Sequence, residues 1–250
     1  MRFLPVFLAA AAALRLGAAA ETPLTVAAAT SLRDVLTELK TLYVLDHADV
    51  AVTLIISGSG MIQREIEKGV PVDVFVSASP REIFALEKKD LLLRDSIRNV
   101  VRNTLVLIVA KDNTAIQKWT DLARPEVQHI AIGEPRKVSA GTYAAETFAF
   151  LKLTETVAPK LVKLADVRTV LTQVGSGEAD AGVVYVTDAR SSDAVRVAVN
   201  ADAKMHQMIL YPCAIPKASK QQAAARDFIA FLVSEPARAV FAKHGFLAPH

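Results

Sequence analysis

An α/β fold with mostly parallel sheets is what this sequence predicts, and three observations predict it. Short apolar runs alternate with amphipathic helical patterns from Leu24 almost to the end of the chain. Glycine, serine, threonine and aspartate mark the passages from run to helix, where helices start. Composition is globular, 52% hydrophobic and 22% charged over 250 residues, enough to bury a large core in one domain or two lobes.

In chain order, residues 24–29 read as a strand, followed by a helix with Leu32, Val35, Leu36, Leu39 and Leu42 on one stripe. Residues 50–56 form a second strand, broken by the Ser-Gly-Ser-Gly run at 57–60. A helix carrying Met61, Ile62 and Ile66 then ends at Gly69 and Pro71. Residues 72–76 are a third strand, and Ser79 with Pro80 opens a helix through Lys89, with proline where its missing N–H does no harm. Strands follow at 104–110 and 130–133, then a helix at 141–151, a strand at 162–165 and a helix from Asp166 to about Val174. Strands at 181–186, 195–199 and 207–215 complete the set, and helices near 221–232 and 236–244 close the chain. No internal repeat and no low-complexity linker marks a seam between lobes.

The first twenty residues have a different character. Arg2 precedes an apolar run at 3–14, and Gly17, Ala18, Ala19 and Ala20 precede Glu21, the pattern of a secretory signal. A membrane anchor is the alternative, but Arg15 interrupts the run, which is too short to span a bilayer. The chain carries 29 Lys and Arg against 26 Asp and Glu, or +3. Without residues 1–20, which hold Arg2, Arg15 and no acid, 27 against 26 leaves +1. Such a balance gives no electrostatic reason to bind nucleic acid or an anionic membrane. Cys213 is the single cysteine, so no internal disulfide can form, and no cysteine follows the signal to take a lipid.

Chemistry is concentrated at four strand-to-helix junctions: Ala28 to Ser31, Ser57 to Gly60, Val138 to Gly141 and Ala165 to Val167. Helix N-termini expose unpaired N–H groups and partial positive charge, which suits anions. In open α/β sheets ligands sit at the carboxyl ends of strands, where these junctions fall. For any one junction taken alone, ordinary capping by Ser31, Ser59 or Asp166 is the favoured explanation. Only convergence of several on one point favours a site, and spacing alone does not establish it.

The same segments resemble the periplasmic molybdate-binding proteins of ABC importers. The resemblance rests on LTVAAATSL at 24–32, SGSG at 57–60 and IEKGVPVDVFVSA at 66–78. It continues through IGEP at 132–135, AGTYA at 140–144, DVR at 166–168, GVVYVTD at 182–188 and HGF at 244–246. It implies the two-lobed type II periplasmic binding protein fold, each lobe a sheet flanked by helices, with the ligand cleft between them. Lobe one would be 22–102 plus 212–250, and lobe two 103–211. Ser31 and Ser59 would donate hydroxyl and N–H from lobe one. Ala140 and Val167 would donate N–H, and Tyr185 its hydroxyl, from lobe two. The implied ligand is molybdate or tungstate and the implied partner a membrane permease. The mature protein would be a soluble periplasmic monomer, without cofactor, catalysis or membrane anchor. One departure is Ser139, where relatives often carry proline, which leaves that loop less rigid.

Such a shell is physically reasonable, because a buried dianion needs many aligned donors to replace its water. With no carboxylate aimed at the ligand, a protonated anion such as hydrogen phosphate is disfavoured. With no titrating donor, affinity should be flat across neutral pH. Two other readings remain open at the level of sequence. A sulfate receptor would differ in cavity size, and an exported serine hydrolase using Ser31 or Ser59 would need a nearby base. No histidine is close in sequence to either serine, and Ser-Gly-Ser-Gly lacks the Gly-x-Ser-x-Gly frame. His47, His129, His206, His244 and His250 lack metal-ligand spacing, so no metal site is expected. Arg168 reads as an ion-pairing residue rather than an anion clamp, and Trp119 and Cys213 as packing residues.

Overall fold

A computed structural model of the protein describes residues 21–249. The expected signal segment, residues 1–20, lies outside them. The described chain forms two five-stranded sheets. Sheet one holds β1 (Thr22–Ala29), β2 (Val50–Ser57), β3 (Val74–Val76), β4 (Arg98–Arg102) and β10 (Leu210–Ala214), in the order β2-β1-β3-β10-β4. Sheet two holds β5 (Leu105–Ala110), β6 (Ile130–Gly133), β7 (Leu161–Leu164), β8 (Ala181–Tyr185) and β9 (Val195–Asn200), in the order β7-β6-β8-β5-β9.

The helices fall largely where the hydrophobic periodicity puts them: α1 (Arg33–Asp46), α2 (Ser59–Glu67), α3 (Pro80–Lys88), α4 (Ser139–Phe150), α6 (Val167–Gly175), α8 (Gln222–Leu232) and α9 (Glu235–Lys243). Two one-turn helices, α5 (Thr154–Val157) and α7 (Val186–Ala189), complete the set. The Ser79 hydroxyl caps α3 by accepting from the Arg81 N–H, with Pro80 at the first helical position. On α1 the stripe turns one residue later than expected. Leu42 is 36% exposed, whereas Tyr43 is buried edge-on against Phe228 at 5.0 Å. Leu36 and Leu39, both fully buried, contribute roughly 1.5–3 kcal/mol each.

Two features depart from the sequence reading. Strand β4 was not anticipated, because its Arg-Asn-Val-Val-Arg sequence has charged ends and no alternation. It is an edge strand paired only to β10, so half of its surface tolerates charge. The sheets are also more mixed than expected. Strand β1 runs parallel to β2 and β3, and β6 runs parallel to β7 and β8. Strands β10 and β5, however, each pair antiparallel to both of their neighbours. The antiparallel pairs involve strands that flank the two passages of the chain between sheets, β4 to β5 and β9 to β10.

Each sheet therefore repeats one plan, a parallel trio in the order second-first-third with an antiparallel strand beside the third. In such an order the crevice opens at the carboxyl ends of the parallel strands. Burial of Val26, Ala28, Val74 and Val76 in one trio and of Ala131, Val183 and Val184 in the other fixes both sheets rigidly behind that edge.

Candidate functional site

The carboxyl ends of both parallel trios meet around one small cavity, about 210 Å³ of empty space with its mouth included. Ser31 follows β1, Ser59 opens α2 after β2, Ala140 lies in the first turn of α4 after β6, Val167 opens α6 after β7, and Tyr185 ends β8. All five line the cavity, joined by Thr30, Ala78 and Ser139. The junction residues converge, which spacing alone left open. All five are buried, none more than 7% exposed.

Capping does not account for the two serines. Ser59 is the first residue of α2, whose cap position is Gly58 with no side-chain bond. The Ser59 Oγ instead accepts from the Ala78 N–H at 3.0 Å. Ser31 lies inside a single 3-10 turn, and its Oγ is 3.0 Å from the Tyr211 hydroxyl. Asp166 is an ordinary cap, one carboxylate oxygen accepting from the Arg168 and Thr169 N–H groups.

The polarity of both serines follows from their partners. Asn103 accepts from the Thr104 N–H through its Oδ1, which orients its amide and makes Nδ2 the donor to the Tyr211 hydroxyl at 3.2 Å. Tyr211 can then give its own hydrogen to the Ser31 Oγ, an arrangement that leaves the hydrogen of Ser31 for the cavity. Ser59, already an acceptor, is left in the same condition. Burial holds the hydroxyl pKa values of Tyr185 and Tyr211 well above the usual 10, so both stay protonated donors. The Tyr185 hydroxyl donates weakly, at 3.4 Å, to the Ala78 carbonyl. The sequence reading assigns no role to Ala78, Tyr211 or Asn103, because their parts depend on contacts between residues distant in the chain.

The amides of Ala140 and Val167 lie in first helical turns, where N–H groups lack intrahelical partners. Together with the starts of α2 and the turn at Ser31, several helix N-termini face one point, and their partial positive charges add there. No cationic or carboxylate side chain lines the cavity. The lining thus presents donors without acceptor carboxylates, an environment for a small, fully ionised anion.

The two sheets close on each other through direct contacts. The Gly60 N–H donates to the Lys137 carbonyl at 3.1 Å, and a Cβ on Gly58 would sit 2.5 Å from the same oxygen, so only glycine admits the approach. Arg64 donates to the Arg136 carbonyl at 3.1 Å. Arg168 hydrogen-bonds Asp34 of α1, across the sheets, and Ser191 on its own side. Its guanidinium is thus committed to ion pairing rather than to the cavity. Thr30 and Gly58 are shared with a wider cleft of about 860 Å³, mouth included, flanked by Arg33, Lys137, Lys163, Glu134 and Asp166.

One titratable group behind the site was not foreseen. Asp188 is fully buried and accepts from the Tyr185 N–H at 3.3 Å. Desolvation pushes its carboxyl up to about 7, against the opposing pull of Arg168. The Arg168 Nε lies 3.8 Å from Asp188, within ion-pair range but too far for a hydrogen bond. A group that titrates near neutral pH thus lies directly behind a lining that was expected to give a flat pH response. Among the described residues, no cluster of histidine, cysteine, aspartate and glutamate has the makings of a metal site. No described helix is long and apolar enough to cross a membrane.

Known proteins are similar to this chain in sequence and in fold. YvgL of Bacillus subtilis, named as an ABC transporter substrate-binding lipoprotein, is 37% identical over 90% of this chain and 86% of its own. The molybdate-binding protein ModA of Haemophilus influenzae is 34% identical over 92% of each chain. The periplasmic molybdate-binding protein of Azotobacter vinelandii superposes with a TM-score of 0.81, covering 91% of this chain and all of its own at 22% identity, which establishes the type II periplasmic binding protein fold. The profile of the bacterial extracellular solute-binding proteins matches residues 24–247, and it is to that family that this chain belongs.

Proposed function

We propose that this protein captures molybdate outside the cytoplasmic membrane and delivers it to the permease of an ABC importer. The observation that carries the reading is the convergence of Ser31, Ser59, Ala140, Val167 and Tyr185 on one cavity without a charged lining. In this reading the serine and tyrosine hydroxyls and the amides of Ser31, Ser59, Ala140 and Val167 surround a tetrahedral dianion. Their dipoles replace its hydration shell, and preorganisation by helix starts makes neutral donors sufficient. The 34% identity to a protein named for molybdate binding supports this choice among oxyanions.

Lobe one, 22–102 plus 212–250, and lobe two, 103–211, then hinge at the two passages between the sheets and close over the ion. Tungstate, of the same charge and shape, is bound by the same donors. The absence of a carboxylate at the cavity leaves hydrogen phosphate without an acceptor for its proton. The protein acts by binding and release rather than catalysis. Supporting this, neither Ser31 nor Ser59 is hydrogen-bonded to a histidine or carboxylate among the described residues, so neither has a general base. The signal at residues 1–20 sends the mature, monomeric protein to the periplasm.

Calorimetry of purified mature protein with molybdate, tungstate, sulfate and phosphate tests the reading. Tight binding of molybdate and tungstate, with sulfate far weaker and phosphate absent, is expected. Sulfate binding as tight as molybdate would reassign the ligand, and no heat with any of the four would refute an oxyanion site.

A further inference from the structure

Among the described residues, six buried side-chain polar atoms have no hydrogen-bond partner, and one of them, the Ser139 Oγ, belongs to the lining of the anion cavity. Ser139 is 2% exposed and is the first residue of α4, whose cap position, Val138, makes no side-chain bond. A buried hydroxyl left unpaired costs free energy and calls for a partner. The three hydroxyls assigned to the ion are engaged within the protein as well: Ser31 with Tyr211, Ser59 with Ala78 and Tyr185 with Ala78. Ser139 is the lining residue whose side-chain oxygen is fully buried with neither a donor nor an acceptor among the described residues.

We propose that the Ser139 hydroxyl is a further donor to the bound oxyanion, beside the five residues assigned above. It rests on the oxyanion reading of the cavity and adds a residue to it. The Ser139 side chain is attached one residue before the Ala140 amide, so a single helix start offers the ion both an N–H and an O–H. Unlike Ser31 and Ser59, this hydroxyl is not polarised by an upstream donor. It is free to rotate toward whichever oxygen the ion presents. Its partner arrives only with the ligand, so its contribution appears wholly in binding and not in the stability of the free protein.

Two variants separate that role from a structural one. Ser139→Ala removes the hydroxyl and keeps the helix. Ser139→Pro removes it in a second way at a position suited to proline, since Val138 holds the extended φ −123°, ψ 117° that a following proline requires. Calorimetry with molybdate should give a Kd about tenfold weaker for both variants than for the unmodified protein. The melting temperature of ligand-free Ser139→Ala should be equal to or above that of the unmodified protein, because an unpaired buried group has gone. Its molybdate-induced rise should be smaller. Equal affinity in all three proteins would overturn the proposal, as would a ligand-free Ser139→Ala that melts lower while binding unchanged. Should the unmodified protein ignore molybdate but bind sulfate, the molybdate reading falls and the same variants are scored with sulfate. Binding of none of the four anions removes both.

Discussion

The two halves of the cavity solve one problem with different materials. The sheet-one half presents serine hydroxyls, Ser31 hydrogen-bonded to the Tyr211 hydroxyl and Ser59 accepting from the Ala78 N–H. Much of the sheet-two half is backbone, the amides of Ala140 and Val167 at two helix starts, with Tyr185 as its assigned side-chain donor. Behind the first half stand neutral groups, Tyr211 and Asn103, and behind the second stands an ionisable one, Asp188. A donor held by a side chain depends on residue identity. A donor held by the backbone depends on where a helix begins, and tolerates nearly any residue that is not proline.

The sharpest way to break that contrast is through pH. The ordinary carboxyl value for Asp188 is 3.8 and the folded value about 7. The folded state thus holds the proton more tightly than the unfolded one. Stability contributed by this group is whole below about 3.8, declines as pH rises through about 7, and is level above. The full loss is on the order of 4 kcal/mol. Urea unfolding at a series of pH values should show this decline in the unmodified protein and a flatter profile in Asp188→Asn. Identical profiles would mean that Arg168 keeps the buried carboxylate charged in the fold.

A smaller effect tests the backbone half directly. Val167→Pro deletes one N–H at the first position of α6, where proline fits and where Asp166 already has the extended backbone that precedes it. A hydrogen bond to a charged group is worth roughly 1.5–3 kcal/mol, so molybdate affinity should fall about tenfold to a hundredfold. Val167→Ala, which keeps the amide, should bind within about twofold of the unmodified protein. Calorimetry on the pair decides whether the amide or the side chain matters, and equal losses would assign the role to packing.

Smaller still is the expected difference between hydroxyls of the two halves. Ser59→Ala leaves the buried Ala78 N–H without its acceptor, so it should weaken molybdate binding and lower the ligand-free unfolding free energy, each by about 1 kcal/mol, and the ligand-free melting temperature with it. Tyr185→Phe gives up only a long 3.4 Å bond in the free protein. It should weaken binding by about as much while leaving the melting temperature nearly unchanged. Calorimetry and thermal unfolding of both variants make the test, and a Tyr185→Phe that melts as low as Ser59→Ala would erase the distinction.

Sequence reached unevenly into this molecule. Nearly every helix and nearly every strand was legible from apolar periodicity, because the inner strands β3, β6 and β8 are buried on both faces and the helices on one. Strand β4 escaped, since an edge strand needs little apolar surface. The serines at 31 and 59 stood out as hydroxyls at helix starts, yet the reason they face the cavity did not. That reason lies with Tyr211, 180 residues from Ser31, and with the Ala78 amide, 19 residues from Ser59. Asp188 read as part of a motif, but its proton affinity depends on complete burial beside Arg168.

By itself the sequence determined the alternation of elements, the four junctions able to bind an anion, and the resemblance that pairs them with one. These are local properties, set by side-chain period and by the unpaired amides every helix start exposes. Only the tertiary structure decided that the junctions share a cavity, that its lining carries no charge, and which hydroxyl hydrogens are left to face it. Convergence of groups from two sheets is fixed by strand order and by the passage of the chain between lobes, and no local pattern encodes either.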